Sequence, residues 1–440
     1  MIEVNESYGK AFDIAANKIK ESNFLRVYSH YDADGVSSAS IIASFLSRLN
    51  KRFHLTFLKQ LDINEISKNN GELVILSDLG SDGLNPENFE VILVDHHEPP
   101  GNNKNIINLN PRSYGYDGTK EACSSTVAFI LSLRINEENK DLYRFFLSGS
   151  IGDKQGVGGF KGLNKQIIER LGIKERKSLN LGPGKVADAI TYSTDPFFVS
   201  LTGYEEKVIE LLETLKIDKE SKVSELSNSE LEKIANILFL ELLKGNTSKE
   251  GFENLVTDSI LDEKSGLTVS HLSDIFDAAG RNGRMGLPVS YSLGDGDALQ
   301  EMMAIHKDFK RKVIEEARKS LSSAYEMKNI NVVEVSSESL TGIVASIGMI
   351  YFLNKDKPTV SYSKNANCKI SSRATFDLVG KGVNLSRALN IACSQVGGHG
   401  GGHDIAAGGT IPLEKINEFL LILDRIVGEQ IGNTKESSKV

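Results

Sequence analysis

The sequence predicts an α/β protein: an N-terminal parallel-sheet domain, a helical insertion, a long linking helix and a smaller C-terminal α/β domain. Three observations predict it. Short apolar runs that end in Asp or His alternate with helical patterns up to about residue 195; a charged stretch without strand signals follows; a second strand–helix alternation begins at Asn331. Phe24 to Ser29 runs into SHYDADG, and the next segment, Val36 to Leu49, carries Ile41, Ile42, Phe45, Leu46 and Leu49 on one helical stripe. Phe53 to Leu58, Leu73 to Leu76, Val91 to Val94 and Ile106 to Leu109 are further strand candidates, each bounded by Asn, Asp, Gly or Pro. Ala122 to Leu133 and Leu142 to Ile151 read as helices. Strands this apolar, interleaved with helices, imply a mostly parallel sheet covered on both faces.

The insertion, 200–265, shows amphipathic helix patterns at Tyr204 to Leu215, Ser229 to Leu243 and Phe252 to Leu261. Ala298 to Lys328 contains neither Pro nor Gly, and as one helix would span roughly 45 Å. In the last domain, Asn331 to Val335, Thr359 to Tyr362 and Cys368 to Ser372 read as strands, with helices at Leu340 to Leu353, Leu385 to Cys393 and Leu413 to Val427. The expected division is 1–199, 200–265, 266–328, 329–432 and a polar, frayed tail at 433–440.

The 440 residues carry 40% hydrophobic and 25% charged side chains, an ordinary globular balance, and no apolar run reaches the ~18–20 residues of a membrane helix. The N-terminus lacks a basic-then-apolar signal, so a cytoplasmic location is expected, with no membrane partner. Cys123, Cys368 and Cys393 are too few and too scattered for a disulfide framework or a cysteine zinc site. The net charge of −8 argues against a wholly basic coat but allows a local basic groove.

The chemistry concentrates at the ends of apolar runs: VYSHYDADG, VILSDLG, VILVDHH and, after a helix, LSGSIGDKQG. Strand C-terminal ends of an open parallel sheet share one crevice, so neighbouring tips converge there. His30, Asp32 and Asp34 alternate, and an extended segment would point all three one way, with Gly35 turning into the next helix. Asp32, Asp34, Asp78 and Asp153 in one pocket would repel strongly, and two divalent cations would cancel their charge. Carboxylate and imidazole donors suit Mn or Mg, with Zn and Co as alternatives. Taken singly, each Asp is more simply a helix cap or turn residue.

In order and spacing these four segments resemble the signature motifs of the DHH phosphoesterase superfamily, which includes RecJ nucleases, oligoribonucleases, cyclic-dinucleotide phosphodiesterases and a pyrophosphatase family. The resemblance implies one metal held by His30, Asp32 and Asp78, and another held by Asp34, Asp78, His96 and Asp153, with Asp78 bridging. It places His97 at the scissile phosphate or in proton transfer, and Asp95 behind an imidazole that it orients.

Downstream, VGGHGGGHDIAAGGTIP carries seven glycines between Val396 and Thr410, either an anion nest of exposed N–H groups or a flexible turn. Gly400, Gly401, Gly402 and His403 resemble the GGGH signature of the DHH-associated C-terminal (DHHA1) domain, and Arg373 in KISSRAT matches its strand-gripping arginine. His399 joins them as a substrate contact, although His399 and His403 could instead bind a metal.

DIFDAAGRNGRMG resembles the NAAGR segment of RecJ nucleases and precedes the long helix in the same order. Asp277 stands where that pattern has Asn, and Arg281 and Arg284 would line the substrate groove. The helix itself carries Lys307, Lys310, Arg311, Lys312, Arg318 and Lys319, as groove lining or as a solvated face. LGPGKVADAI, STDPFFVSLTG and the insertion look most like archaeal RecJ-like proteins, some of which associate with the GINS replication complex.

The expected activity is exonuclease cleavage of single-stranded DNA or RNA threaded through a cleft between the two domains, linked to replication or repair. A short-oligonucleotide phosphodiesterase and a replication scaffold are the alternatives. The insertion carries no metal-ligand cluster. Its apolar stripe of Val208, Leu211, Leu212 and Leu215 serves either to dock a GINS-type partner or to buttress its own domain.

Overall fold

The computed structural model describes residues 2–437 except 69, 70, 100, 102 and 366. The chain forms two compact units, Met1–Arg176 with Asp258–Lys307, and Lys177–Thr257 with Asp308–Val440.

The first unit begins with helix α1 (Glu6–Glu21), an element not among those expected from the sequence. Its buried face, Tyr8, Phe12, Ala15, Ala16 and Ile19, is rich in alanine, so the apolar signal is weak; Asn5 caps it by accepting the Tyr8 N–H at 2.9 Å. Then follow β1 (Phe24–His30), α2 (Ala33–Arg48), β2 (Arg52–Leu58), β3 (Leu73–Ser77), β4 (Glu90–Val94), β5 (Ile106–Asn108), α3 (Ser124–Ile135) and α4 (Tyr143–Gly152). The five strands are all parallel, in the order β2-β1-β3-β4-β5.

Both sheet faces are covered, because strand residues alternate sides. Val27, Ile75, Ile92 and Val94 pack with Phe45, Phe129 and Phe146 of the helices on one side. Tyr28, Val74, Leu76, Val91 and Leu93 pack with Ile66, Leu84 and Phe89 on the other. The register levels three neighbouring strand ends: Ser29 lies opposite Ser77, and Ser77 opposite Val94. His30, Asp78 and Asp95 follow at one height, and that position makes the site.

The return segment of this unit contains α5 (Val269–Arg281). The span Phe252 to Leu261, read as a helix, instead ends a short helix at Glu253 and continues as strands Val256–Ser259 and Leu261–Asp262. Its Val256 and Thr257 favour extended backbone, and strand pairing outweighs the weak helical spacing. Helix α6 (Gly296–Ser322) is 27 residues long and stops six residues short of Lys328. Nothing in the sequence breaks it; Tyr325 and Glu326 pair antiparallel with Val332 and Asn331 instead.

In the second unit, helices Glu205–Leu215 and Asn228–Lys244 pack Val208, Leu212, Ile234, Leu238 and Leu242 into a core shared with Val333, Val335, Val344 and Tyr351. The stripe offered for partner docking is therefore core on its Val208 and Leu212 side. The sheet of this unit runs Tyr325–Glu326, then β6 (Asn331–Val335), β7 (Thr359–Ser363), β8 (Asn367–Arg373), and β10 (Ala406–Pro412) followed by edge strand β9 (His399–Gly402). Within it β6 and β7 pair in parallel, and the other neighbours pair antiparallel.

The glycine-rich run is a β-hairpin rather than a loop. Gly400, Gly401 and Gly402 lie opposite Gly409, Gly408 and Ala407, so one edge of this backbone is taken up in the sheet ladder. The final helix, Ile416–Ser437, takes in most of the segment read as a tail; 438–440 lie outside the described residues. Among the described residues, no helix is long and apolar enough to cross a membrane.

Candidate metal centre

Asp78 occupies the first position after β3 with φ of 57°, a left-handed conformation that Asp tolerates better than most residues. Its carboxylate is buried, and its two oxygens diverge. Oδ1 lies 3.4 Å from His96 Nε2 and accepts Ser124 Oγ–H at 2.9 Å; Oδ2 lies 3.7 Å from His30 Nδ1. His30 Nδ1 is also 3.0 Å from Asp32 Oδ2. Two groups of donor atoms, each within 4.8 Å of one another, result: His30, Asp32 and Asp78, and Asp78, His96 and His97.

Asp34 and Asp153 also lie near His96, at opposite nitrogens of its ring and outside that donor group. Asp34 Oδ2 is 4.0 Å from His96 Nε2, and Asp153 Oδ2 is 3.6 Å from His96 Nδ1. The alternation rule fails for Asp34. Only His30 is in the strand; Asp32 caps α2, accepting Gly35 N–H at 3.0 Å, and Asp34 is in the first helical turn. Asp34 turns to the N-terminus of α3, where its oxygens accept the Ser124 and Ser125 N–H groups at 2.8 and 3.0 Å. Gly35 is helical rather than a turn; a Cβ there would meet the His30 carbonyl oxygen at 2.4 Å, so close packing requires the glycine.

Imidazole tautomers follow from the partners. His96 Nδ1–H donates to the Gly118 carbonyl at 2.6 Å, which leaves Nε2 as the electron pair facing Asp34 and Asp78. His97 Nδ1–H donates to the buried Asp95 carboxylate at 2.8 Å, leaving Nε2 to the half-exposed side. Asp95 thus orients His97.

Sequence reasoning missed the supports around these residues. Arg112 Nε–H holds the His96 carbonyl at 2.8 Å, and Asn110 Nδ2–H holds that of His97 at 2.9 Å. Gln155 bonds Asp153 at 2.9 Å and the Gly118 carbonyl at 3.0 Å, and is itself held by Asn164 at 2.8 Å. Ser, Asn and Gln spread between motifs carry no periodic signal; only the fold gathers them.

Electrostatics match a cation site. Burial, with the Asp34 and Asp32 charges, pushes Asp78 up to about 6. Burial pushes Asp153 up to about 7, against the pull of His96. Burial disfavours the His30 imidazolium, but hydrogen bonds to Asp32 and Asp78 outweigh it and raise His30 to about 10. The site therefore holds protons that metal ligation must expel, since ligands need neutral imidazole and ionised carboxylate. Manganese binding should release on the order of one to two protons at pH 7 and tighten as pH rises from 6 to 9. Calorimetry in buffers of different ionisation enthalpy reads this directly; a heat independent of buffer would contradict it.

Arg281 ends α5 beside this centre; burial disfavours its charge, and the Asp277 and Asp32 carboxylates outweigh that burial. Arg284 pairs with Glu301. Arg318, offered as groove lining, is instead half-buried over Tyr204, donating to the Thr202 and Val199 carbonyls. In the second unit Arg373 ends β8, donating to Ser346 Oγ at 3.2 Å and the Ser372 carbonyl at 2.8 Å. It lies opposite Ala406, whose carbonyl accepts the His403 N–H at 2.8 Å, so Arg373 and His403 share one end of that sheet. His399 is at the other end of β9, opposite Thr410.

Comparison with known proteins bears on the family and the fold. Residues 25–149 match the DHH family N-terminal domain and residues 302–429 the DHHA1 domain. An uncharacterised protein of Methanocaldococcus jannaschii is 32% identical over 430 residues, 93% of this chain and 94% of that one. The Mn2+ complex of RecJ from Thermus thermophilus superposes with a TM-score of 0.59 at 17% identity, covering 96% of this chain and 55% of that one. The chain thus spans about half the length of that RecJ. CDC45 from Entamoeba histolytica gives 0.60 at 14% identity, covering 97% of this chain and 100% of that one.

Proposed function

The chain belongs to the DHH superfamily and has a RecJ-like fold, and from that premise we propose that it is a two-metal-dependent exonuclease hydrolysing phosphodiester bonds of single-stranded DNA or RNA, in replication or repair. One observation carries the reading: the two oxygens of Asp78 face different histidines, so that one carboxylate is shared by two donor groups. His30, Asp32 and Asp78 would hold one ion, and Asp34, Asp78, His96 and Asp153 the other. Mn2+ is the first candidate and Mg2+ the second. When bound, such a pair supplies Lewis-acid stabilisation of the charge that develops on phosphoryl oxygens and activates water.

The residues do the rest. Asp34 is fixed by two amide N–H groups and Asp78 by Ser124, so the donor positions exist before an ion arrives. The Asp95 carboxylate makes His97 more basic and turns its Nε2 outward, where it holds a proton for the departing oxygen or contacts the phosphate.

End-labelled DNA and RNA strands, labelled at either end and offered with Mn2+, Mg2+ or EDTA, test the reading. A metal-dependent ladder from single strands, with duplexes resistant, is the expected result. Cleavage confined to dinucleotides would instead establish a short-oligonucleotide phosphodiesterase, and no cleavage under any condition would overturn hydrolysis.

Arg373 and His403, at one end of their sheet, are proposed to grip the strand away from the scissile bond. Arg373→Ala should raise KM roughly tenfold for a long strand and much less for a dinucleotide. Steady-state kinetics over a length series checks this; equal loss in kcat at every length would contradict it.

A further inference from the structure

The last turn of α5 holds an ion pair that the proposed reaction has not used. Asp277 Oδ2 accepts Arg281 Nε–H at 2.5 Å, one helical turn apart. The pair sits against the metal centre. Gly280 brings the helix onto the Tyr31 carbonyl, and both charges register Asp32. Among the described residues, the hydrogen bonding of Arg281 uses Nε alone, which leaves both Nη groups for an anion. A guanidinium on a long side chain has many orientations, and a neighbour that fixes Nε selects one of them.

We propose that Asp277 is the positioning residue for Arg281: it holds the guanidinium by Nε so that the two Nη groups grip a phosphate beside Asp32, and its charge weakens that grip. This rests on reading the centre as a site of phosphodiester hydrolysis. The two roles oppose one another, and this makes them separable. Asn keeps an oxygen for Nε–H and removes the charge; Ala removes both. Positioning therefore predicts opposite signs for the two substitutions, whereas a purely electrostatic role predicts the same sign.

The test uses the full chain loaded with manganese, with KM and kcat measured on a single-stranded oligonucleotide and direct binding measured with thymidine 5′-monophosphate. D277N should lower KM and the mononucleotide Kd about two- to fivefold, and D277A should raise both roughly three- to tenfold, with kcat moving less. In an R281A background, D277A should add nothing, since Asp277 acts through Arg281. Tighter binding in both variants would overturn positioning. So would an undiminished D277A effect in the R281A background, or parallel losses of kcat and melting temperature in both variants, the mark of a merely structural pair. Mononucleotide binding separates the two readings: the expected order without strand cleavage would overturn the nuclease reading alone, and cleavage without that order would overturn the role of Asp277 alone.

Discussion

Asp78→Asn is expected to cut metal-dependent strand cleavage by at least about three orders of magnitude while the protein stays folded. The substitution removes one charge from the carboxylate whose oxygens face both donor groups. Asn also keeps the left-handed φ of 57° within reach, whereas Ala at that position adds backbone strain of about 1–2 kcal/mol. Asp34→Ala, an apparently equivalent change, is not equivalent. It leaves the buried Ser124 and Ser125 N–H groups without their acceptor, at about 1–3 kcal/mol each, so lost activity would be mixed with lost stability. Metal content of the purified variant, thermal melting and single-turnover cleavage together separate ligand loss from unfolding. Near-native turnover by Asp78→Asn in manganese would refute the shared-carboxylate assignment.

The strand ends were legible in the sequence because an apolar run that stops at Asp or His has both a fold signal and a chemical one. That logic found His30, Asp78, His96 and Asp153, which four separate segments bring together. It failed where geometry rather than composition decides. Asp34 reaches the site from a helical turn, because Asp32 ends the extended segment by capping α2. The glycines of the GGGH run lie in a strand that nothing in their residues announces; glycine has no side chain to pack and no β preference, and the ladder with Gly408 and Gly409 exists only in the fold. Ser124, Gln155 and Arg112 were illegible for a third reason: each is an ordinary polar residue whose meaning is the partner it meets in the fold.

Gly280→Ala carries the other large expectation, and it runs against helix propensity. Ala favours a helix over Gly by about 1 kcal/mol, and Gly280 is within α5, so an isolated helix would gain. Here an added Cβ would lie 1.8 Å from the Tyr31 carbonyl oxygen, a backbone atom that cannot swing aside. Overpacking of this kind costs typically about 1–3 kcal/mol, and relief requires α5 to lift from the segment that carries Asp32. The result should be a lower melting temperature together with a loss of cleavage of roughly a hundredfold, because a displacement of about 1 Å at a reacting centre is enough for that. Gly286→Ala supplies the control: it has no atom within 4 Å of the added Cβ and should be neutral in both measurements. Melting and cleavage would then respond differently at Asp78 and at Gly280. Asp78→Asn removes chemistry from an intact frame, and Gly280→Ala moves the frame while every proposed ligand remains in the chain. A Gly280→Ala variant with native melting temperature and native turnover would show that α5 does not set the position of Asp32.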